Sequence, residues 1–331
     1  MVGFFDAQVN YGESIFGPDC NLATYLVEAR KVCIDSFLLI PTGTHKLELE
    51  DGRIEESCIW EFDDSGIIYK RLQTNPATGK TEEESAPSSP YLVINRKVQE
   101  EVRKLNSEGL WSCYFAPKVH PKLDKPSDLE DFVDDPNFKA LKVQTLATYC
   151  TTEDIPQWLV DFSRKYDKPI IVHTDYMGDD ATPESTGISE ALLYIMKKNH
   201  ASRWADWGLN TGVRLVLAHG ARLDEDAINK INGSDNLIMN IGQDSLLGAE
   251  GSRLAMKSDD YLTDLLRLAG EDKLIFSTDY AWNVRDRSDW FTLDWNTSKR
   301  VEKSMQTLGI YNPERFKAIM RNNAMRFFGI K

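Results

Sequence analysis

Two histidines and an aspartate close short apolar runs, an arrangement suited to hydrolytic chemistry at a bound ion. His173 follows Pro169-Ile170-Ile171-Val172, His219 follows the run 213–218, and Asp279 follows Leu274-Ile275-Phe276-Ser277-Thr278. A further run, Val2-Gly3-Phe4-Phe5, ends in Asp6-Ala7-Gln8-Val9-Asn10. Imidazole nitrogens and carboxylate oxygens are ligands for an ion such as Zn2+, and a carboxylate can also carry a proton. Polar residues at the C-terminal ends of barrel strands read as catalytic. The residue types and their chain order therefore predict water activation, with Asp279 as the proton carrier.

Such residues need a frame that brings distant strand ends together. Eight apolar runs of strand length lie at 2–6, 32–40, 111–116, 139–146, 169–174, 213–218, 236–241 and 273–278. Helical patterns separate them, which is the rhythm of parallel βα units. Runs such as Phe37-Leu38-Leu39-Ile40 and Leu215-Val216-Leu217 suit strands covered on both faces. The fold class predicted is α/β, a closed (β/α)8 TIM barrel. An open doubly wound sheet is the alternative, but no G-x-G-x-x-G follows the first run. A chain of 331 residues fits one such barrel, so 1–331 is expected to be one domain.

Helices are expected over 223–231 and 261–268 from apolar spacing. Asn312-Pro313-Glu314 supplies a cap, a first-position proline and an early acid for the terminal helix. Residues 46–90 break the rhythm after strand two. There Ser57-Cys58-Ile59-Trp60-Glu61-Phe62 and Ile67-Ile68-Tyr69-Lys70-Arg71-Leu72 flank Asp63-Asp64-Ser65-Gly66, a β-hairpin signature, followed by a polar loop over 82–90. This insertion either shapes the barrel mouth or decorates the surface. Gly79-Lys80-Thr81 is not a phosphate loop, because position 74 is Thr.

Composition narrows the partners. A net charge of -13 argues against nucleic acid or an anionic membrane as a general partner. The N-terminus lacks a basic leader, and no apolar run reaches membrane-spanning length. Cys20, Cys33, Cys58, Cys113 and Cys150 are odd in number and widely spaced, as expected of reduced thiols in a cytoplasmic protein. A small-molecule substrate is expected, and a homodimer remains open.

Taken together, the strand-end motifs resemble the amidohydrolase superfamily, most closely its amidohydrolase-related (amidohydrolase 2) branch of hydrolases, lactonases and aromatic-acid decarboxylases. Phe5-Asp6-Ala7-Gln8-Val9-Asn10 stands where that family has D-x-H-x-H. Ile171-Val172-His173-Thr174 and Leu217-Ala218-His219-Gly220 match its strand-five and strand-six histidines. Phe276-Ser277-Thr278-Asp279-Tyr280-Ala281-Trp282 resembles its strand-eight G-T-D-x-P-W, and Asn323-Ala324-Met325-Arg326-Phe327-Phe328-Gly329 its closing N-A-x-R-L-F-G.

Both histidines of H-x-H are replaced, by Gln8 and Asn10. Amides are poor transition-metal ligands, so the more buried of the family's two metal positions has lost its anchors. Some deacetylases of sugar amides carry Gln-x-Asn here and keep a single metal elsewhere. The resemblance then implies one divalent metal, Zn2+ foremost, on His173 and His219, with Lys142 or Asp279 completing the set. Leu141-Lys142-Val143 resembles members whose strand-four lysine is carboxylated into a metal-binding carbamate. Alternatively, Lys142 is an ordinary cation facing a substrate acid or a carboxylate neighbour.

Asp279 and His219 are the expected catalytic pair, Asp279 as proton shuttle to a metal-bound water nucleophile. Gln8 and Asn10 would hydrogen-bond substrate or fill the vacated position. Arg222 or Arg285 would clamp an anionic substrate group, or else solvate the surface. Trp282 would line the pocket, and His120 at the end of the third run would reach the mouth; His45 has a weaker claim and His200 reads as surface. The function expected is hydrolysis of an amide, lactone or other ester-like bond in a small molecule. Alternatives are non-oxidative decarboxylation of an aromatic or unsaturated acid, and a metal-free or inactive binding protein.

Overall fold

Short strands buried along nearly their whole length set the architecture. The computed structural model describes residues 3–11, 22–41, 47–48, 54–55, 59–62, 68–74, 81–85, 89–148, 150–174, 181–182, 185, 190–241, 258–280 and 297–331. Within these lie the barrel strands β1 (Phe4–Tyr11), β2 (Ile34–Pro41), β3 (Ser112–Phe115), β4 (Leu141–Val143), β5 (Ile170–Val172), β6 (Leu215–Leu217), β7 (Leu237–Ile241) and β8 (Leu274–Phe276). Each overlaps one of the predicted runs. All neighbouring pairs within β1–β2–β3 and within β4 to β8 are parallel.

Two seams join these groups. Phe115 pairs with Phe138 and Lys118 with Lys142, linking the β3 and β4 segments, while Val9 pairs with Tyr280 beyond β8. The second seam is held by Asp279 N donating to Gln8 O at 3.0 Å and Asn10 N donating to Tyr280 O at 3.3 Å. The sheet thus closes on itself as a (β/α)8 barrel, the predicted class.

Side chains of each strand divide between two cores. Leu141, Val143, Val172, Leu215, Leu217, Leu237 and Met239 pack outward, with residues of the helices such as Leu159, Trp204, Ile228 and Leu265. Phe5, Leu38, Ile171, Val216, Ile238 and Ile275 fill the barrel, joined by Ala324, Phe327, Phe328 and Ile330 of the C-terminal segment. That segment closes the N-terminal end of the barrel. Asn323 Nδ2 donates to Glu271 O at 2.8 Å and Leu274 O at 2.9 Å, and Arg321 donates to Gly3 O at 3.0 Å. Asn312 caps the helix Pro313–Lys317 through Glu314 N and Arg315 N, as its sequence predicts.

The hairpin after β2 is present, with more strand than expected. Ile59–Phe62 pairs antiparallel with Ile68–Thr74, and Thr81–Ser85 adds a third strand in place of part of the expected polar loop. Composition alone reads that acidic stretch as loop, but its backbone pairs in register with the hairpin, Glu84 opposite Arg71. A separate pair joins Leu47–Glu48 to Ile54–Glu55. No helix of the described residues is long and apolar enough to cross a membrane.

Candidate active site

A bulge in β1 aims its polar residues. Asp6 pairs with Phe37 and Val9 with Leu39, so Ala7 and Gln8 share the space opposite Leu38. Before the bulge, Asp6 accepts hydrogen bonds from Tyr25 Oη at 3.0 Å, Thr278 N at 2.9 Å, Thr278 Oγ1 at 2.5 Å and Gln8 N at 3.2 Å. Burial nevertheless pushes its carboxyl up to about 6. Past the bulge, Gln8 Nε2 and Asn10 Nδ2 both donate to Asp279 Oδ1, the latter at 3.1 Å.

These contacts extend into a relay. Gln8 Oε1 accepts from Asn240 Nδ2 at 3.2 Å, and Asn240 Oδ1 accepts from His219 N at 2.8 Å. Asp279, Gln8, Asn240 and His219 are thereby linked across β8, β1, β7 and β6. Each bond fixes the direction of the next, because an amide has a distinct donor end and acceptor end.

The two histidines meet at the ends of β5 and β6. His219 Nε2 lies 2.9 Å from His173 Nδ1, with the rings edge to face at 78°. His173 O accepts from Thr145 Oγ1 at 2.8 Å and Asn199 Nδ2 at 3.1 Å, and Asn199 Oδ1 accepts from Trp204 Nε1 at 2.6 Å. Tyr261 Oη holds His219 O at 2.8 Å. Burial first, then His173, Arg222 and Lys142, keep the His219 imidazole well below the usual histidine range. A neutral imidazole retains the lone pair that a metal ligand needs.

Backbone strain concentrates here. His219, Gly220, Ala221, Arg222 and Leu223 have φ of 60°, 59°, 50°, 52° and 54°, and Asp279 has 51°. Left-handed backbone costs about 1–2 kcal/mol per non-glycine residue, and such strain gathers at functional sites. The turn also explains why the helix expected over 223–231 starts at Glu225, with Asp224 as its cap.

Two lysines and a histidine line the β3–β4 side. Lys142 is 1% exposed, and its Nζ has no hydrogen-bond partner among the described residues. Burial pushes its ammonium down to about 8 against the pull of Asp279. Lys118 is also buried, with Nζ 4.8 Å from the centre of the Tyr91 ring; burial and Lys142 hold it well below the lysine range. His120 is fully buried and stacks on the same Tyr91 ring, while its backbone N donates to Asp124 Oδ2 at 2.7 Å. Burial, then Lys122, push this imidazole down to about 3, and burial raises the Asp124 carboxyl to about 7.

The structure thus gathers Gln8, Asn10, His173, His219 and Asp279 at the C-terminal end of the barrel, with Lys142 electrostatically coupled to Asp279 and His219. Arg222 is half-buried, its Nε donating to Thr174 O at 3.4 Å. His200 is half-buried ahead of the helix Ala201–Thr211. Trp282, Arg285 and His45 lie outside the described residues. Sequence reading missed Asn240 and Lys118. Each is polar at a position whose strand neighbours two residues earlier, Ile238 and Ala116, face the barrel interior.

The paired imidazole nitrogens converge, yet among the described residues no group of three His, Cys, Asp or Glu side chains is placed to hold an ion. Asp279 Oδ1 is instead taken up by two amides. His173 and His219 are therefore two candidate ligands, and the described residues supply no third His, Cys, Asp or Glu beside them.

No protein-family model and no curated protein matches the chain. Solved structures do. A 2,6-dihydroxybenzoate decarboxylase with 2,6-dihydroxybenzoate bound is 13% identical with a TM-score of 0.56, over 99% of this chain and all of that one (100%). An enamidase of the amidohydrolase superfamily is 12% identical with a TM-score of 0.58, over 99% of this chain and 67% of that one. A Pseudomonas putida protein assigned as a 2-pyrone-4,6-dicarboxylic acid hydrolase is 10% identical with a TM-score of 0.57, over 100% and 99%. This chain shares the (β/α)8-barrel fold of these structures.

Proposed function

We propose that the chain is a metal-dependent hydrolase of an amide, lactone or other ester-like bond in a small molecule. The observation that carries this reading is the His173–His219 pair, 2.9 Å apart and tied through Asn240 and Gln8 to Asp279. His173 and His219 would hold one divalent ion, Zn2+ foremost. Lys142, buried and with no hydrogen-bond partner on its amine among the described residues, would complete the set as a carbamate, which replaces a cation by an anionic oxygen donor. When bound, such an ion polarises a carbonyl oxygen and lowers the pKa of water.

The chain's own residues do the rest. Asp279 takes a proton from the attacking water and returns it to the leaving nitrogen or oxygen. Gln8 and Asn10 hold Oδ1 and so fix the plane of that carboxylate. They stand where imidazoles would bind a second ion, and they serve the first site as positioning groups.

The similar structures include hydrolases and a decarboxylase, so the assay must separate the two reactions. Chelator-treated protein, with and without added Zn2+, is offered small amides, lactones, esters and aromatic acids. Zinc-dependent hydrolysis, abolished in Asp279→Asn, supports the proposal. Release of CO2 without water consumption would instead make the chain a decarboxylase.

A further inference from the structure

Lys197-Lys198-Asn199-His200 links the helices Glu190–Lys198 and Ala201–Thr211 and reads as a surface corner. Asn199 is nonetheless fully buried, as is Thr145 just past β4. Burying an amide costs free energy unless its donors and its acceptor find partners. Here they do, within one closed triangle. Asn199 Nδ2 donates to Thr145 Oγ1 at 2.7 Å and to His173 O at 3.1 Å, and Thr145 Oγ1 donates to that same carbonyl at 2.8 Å. Asn199 Oδ1 accepts from Trp204 Nε1 at 2.6 Å, and Trp204 is itself buried in the outer core.

Both arms of the triangle end on the carbonyl of the residue whose imidazole meets His219. The backbone N of His173 donates to Val143 O at 3.1 Å, so the peptide groups on both sides of this residue are held. His219 is held in the same manner, its N by Asn240 and its O by Tyr261. With both peptide groups fixed, the Cα–Cβ direction of each histidine is fixed, and with it the reach of the ring. A tie that served only to dock a helix on the sheet could end on any strand residue. This one ends on His173, and through Thr145 it joins the end of β4, which carries Lys142, to the end of β5.

We propose that Asn199 is a positioning residue for the metal centre. Through Thr145 and the His173 carbonyl it sets the separation of the His173 and His219 imidazoles. The inference rests on the one-metal reading and extends it to a residue of the helical layer that touches neither ion nor substrate. Ligand atoms have to sit within about 0.5 Å of their productive geometry. Removing a partner that orients a ligating histidine lowers metal affinity by about 10–100-fold.

The test titrates the full-length, chelator-stripped protein with Co2+, followed by its d–d absorption, and records nitrogen NMR of the metal-free histidine rings. Asn199→Ala and Thr145→Val should each weaken Co2+ binding by about 10–100-fold and displace the His173 ring signals. Thr145→Ser keeps the hydroxyl and should bind as the wild type does. Phe328→Leu loosens the opposite end of the barrel and should lower the urea midpoint with no change in Co2+ affinity. Trp204→Phe, which removes the indole N–H from Asn199, should act in the same direction as Asn199→Ala and replaces it where that variant does not fold. Wild-type affinity in both Asn199→Ala and Thr145→Val, or an equal loss in Phe328→Leu, would overturn the assignment. If the wild type binds no Co2+, the one-metal reading fails and the NMR decides alone. Unmoved His173 signals in both variants would then overturn the positioning role, and displaced ones would sustain it.

Discussion

Asp279 is oriented at the barrel mouth by side-chain amides from β1. Two amide donors fix one oxygen, and the chain through Gln8 and Asn240 ends on the backbone of His219. Asp279→Asn keeps an oxygen for both donors, so kcat should fall by about 10²–10⁴ with an unchanged circular dichroism spectrum. Gln8→Ala and Asn240→Ala should each lower kcat by about tenfold. Because they break the same relay, the double variant should be little worse than either single one; additive losses would show that the relay does not act as a unit. Asp124 offers a pH test. Its carboxyl, raised from 3.8 to about 7 by burial, contributes stability that is full below pH 4 and lost as pH rises through 7. The loss is at most about 4 kcal/mol. Asp124→Asn keeps an acceptor for His120 N and cannot ionise, so urea unfolding from pH 5 to 8 should show a shallower decline than wild type. The histidines and Asp279 were legible because each ends an apolar run. Their partners were not: Gln8 meets Asp279 across 271 positions, and a sequence carries no sign of which strand end faces which.

At the scale of elements, the bulge in β1 and the left-handed turn after β6 do the aiming. Without the extra residue at Ala7–Gln8, a period of two would turn Gln8 and Asn10 to the other face. The strand itself was readable from Val2-Gly3-Phe4-Phe5, but the bulge was not, since Ala7 and Gln8 carry no bulge signature. The turn was equally hidden, because Ala221, Arg222 and Leu223 are ordinary residues in a conformation they rarely adopt. Gly220 is the exception that permits it: φ is 59°, and an added Cβ would lie 2.8 Å from Leu265 Cδ2. Gly220→Ala should therefore destabilise the chain by about 2–4 kcal/mol in urea unfolding, from backbone strain plus crowding. A change below about 0.5 kcal/mol, the scale of a neutral substitution, would show that the turn relaxes freely.

Over the whole molecule, barrel closure converts eight separate strand ends into one mouth. That architecture was visible in the spacing of the runs, because buried parallel strands must be apolar on both faces. The terminal motif is part of it: Phe328 lies against Phe5, 6.2 Å between ring centres, and seals the far end. Phe328→Ala should cost about 3–5 kcal/mol. What the mouth does depends on whether His173 and His219 hold an ion. The direct measurement is metal content by mass spectrometry of protein purified without chelator, beside a His173→Ala/His219→Ala double variant. About one equivalent of a divalent metal in the wild type, absent from the double variant, is the predicted result. Metal absent from both, or bound equally by both, would contradict a one-metal centre on these histidines.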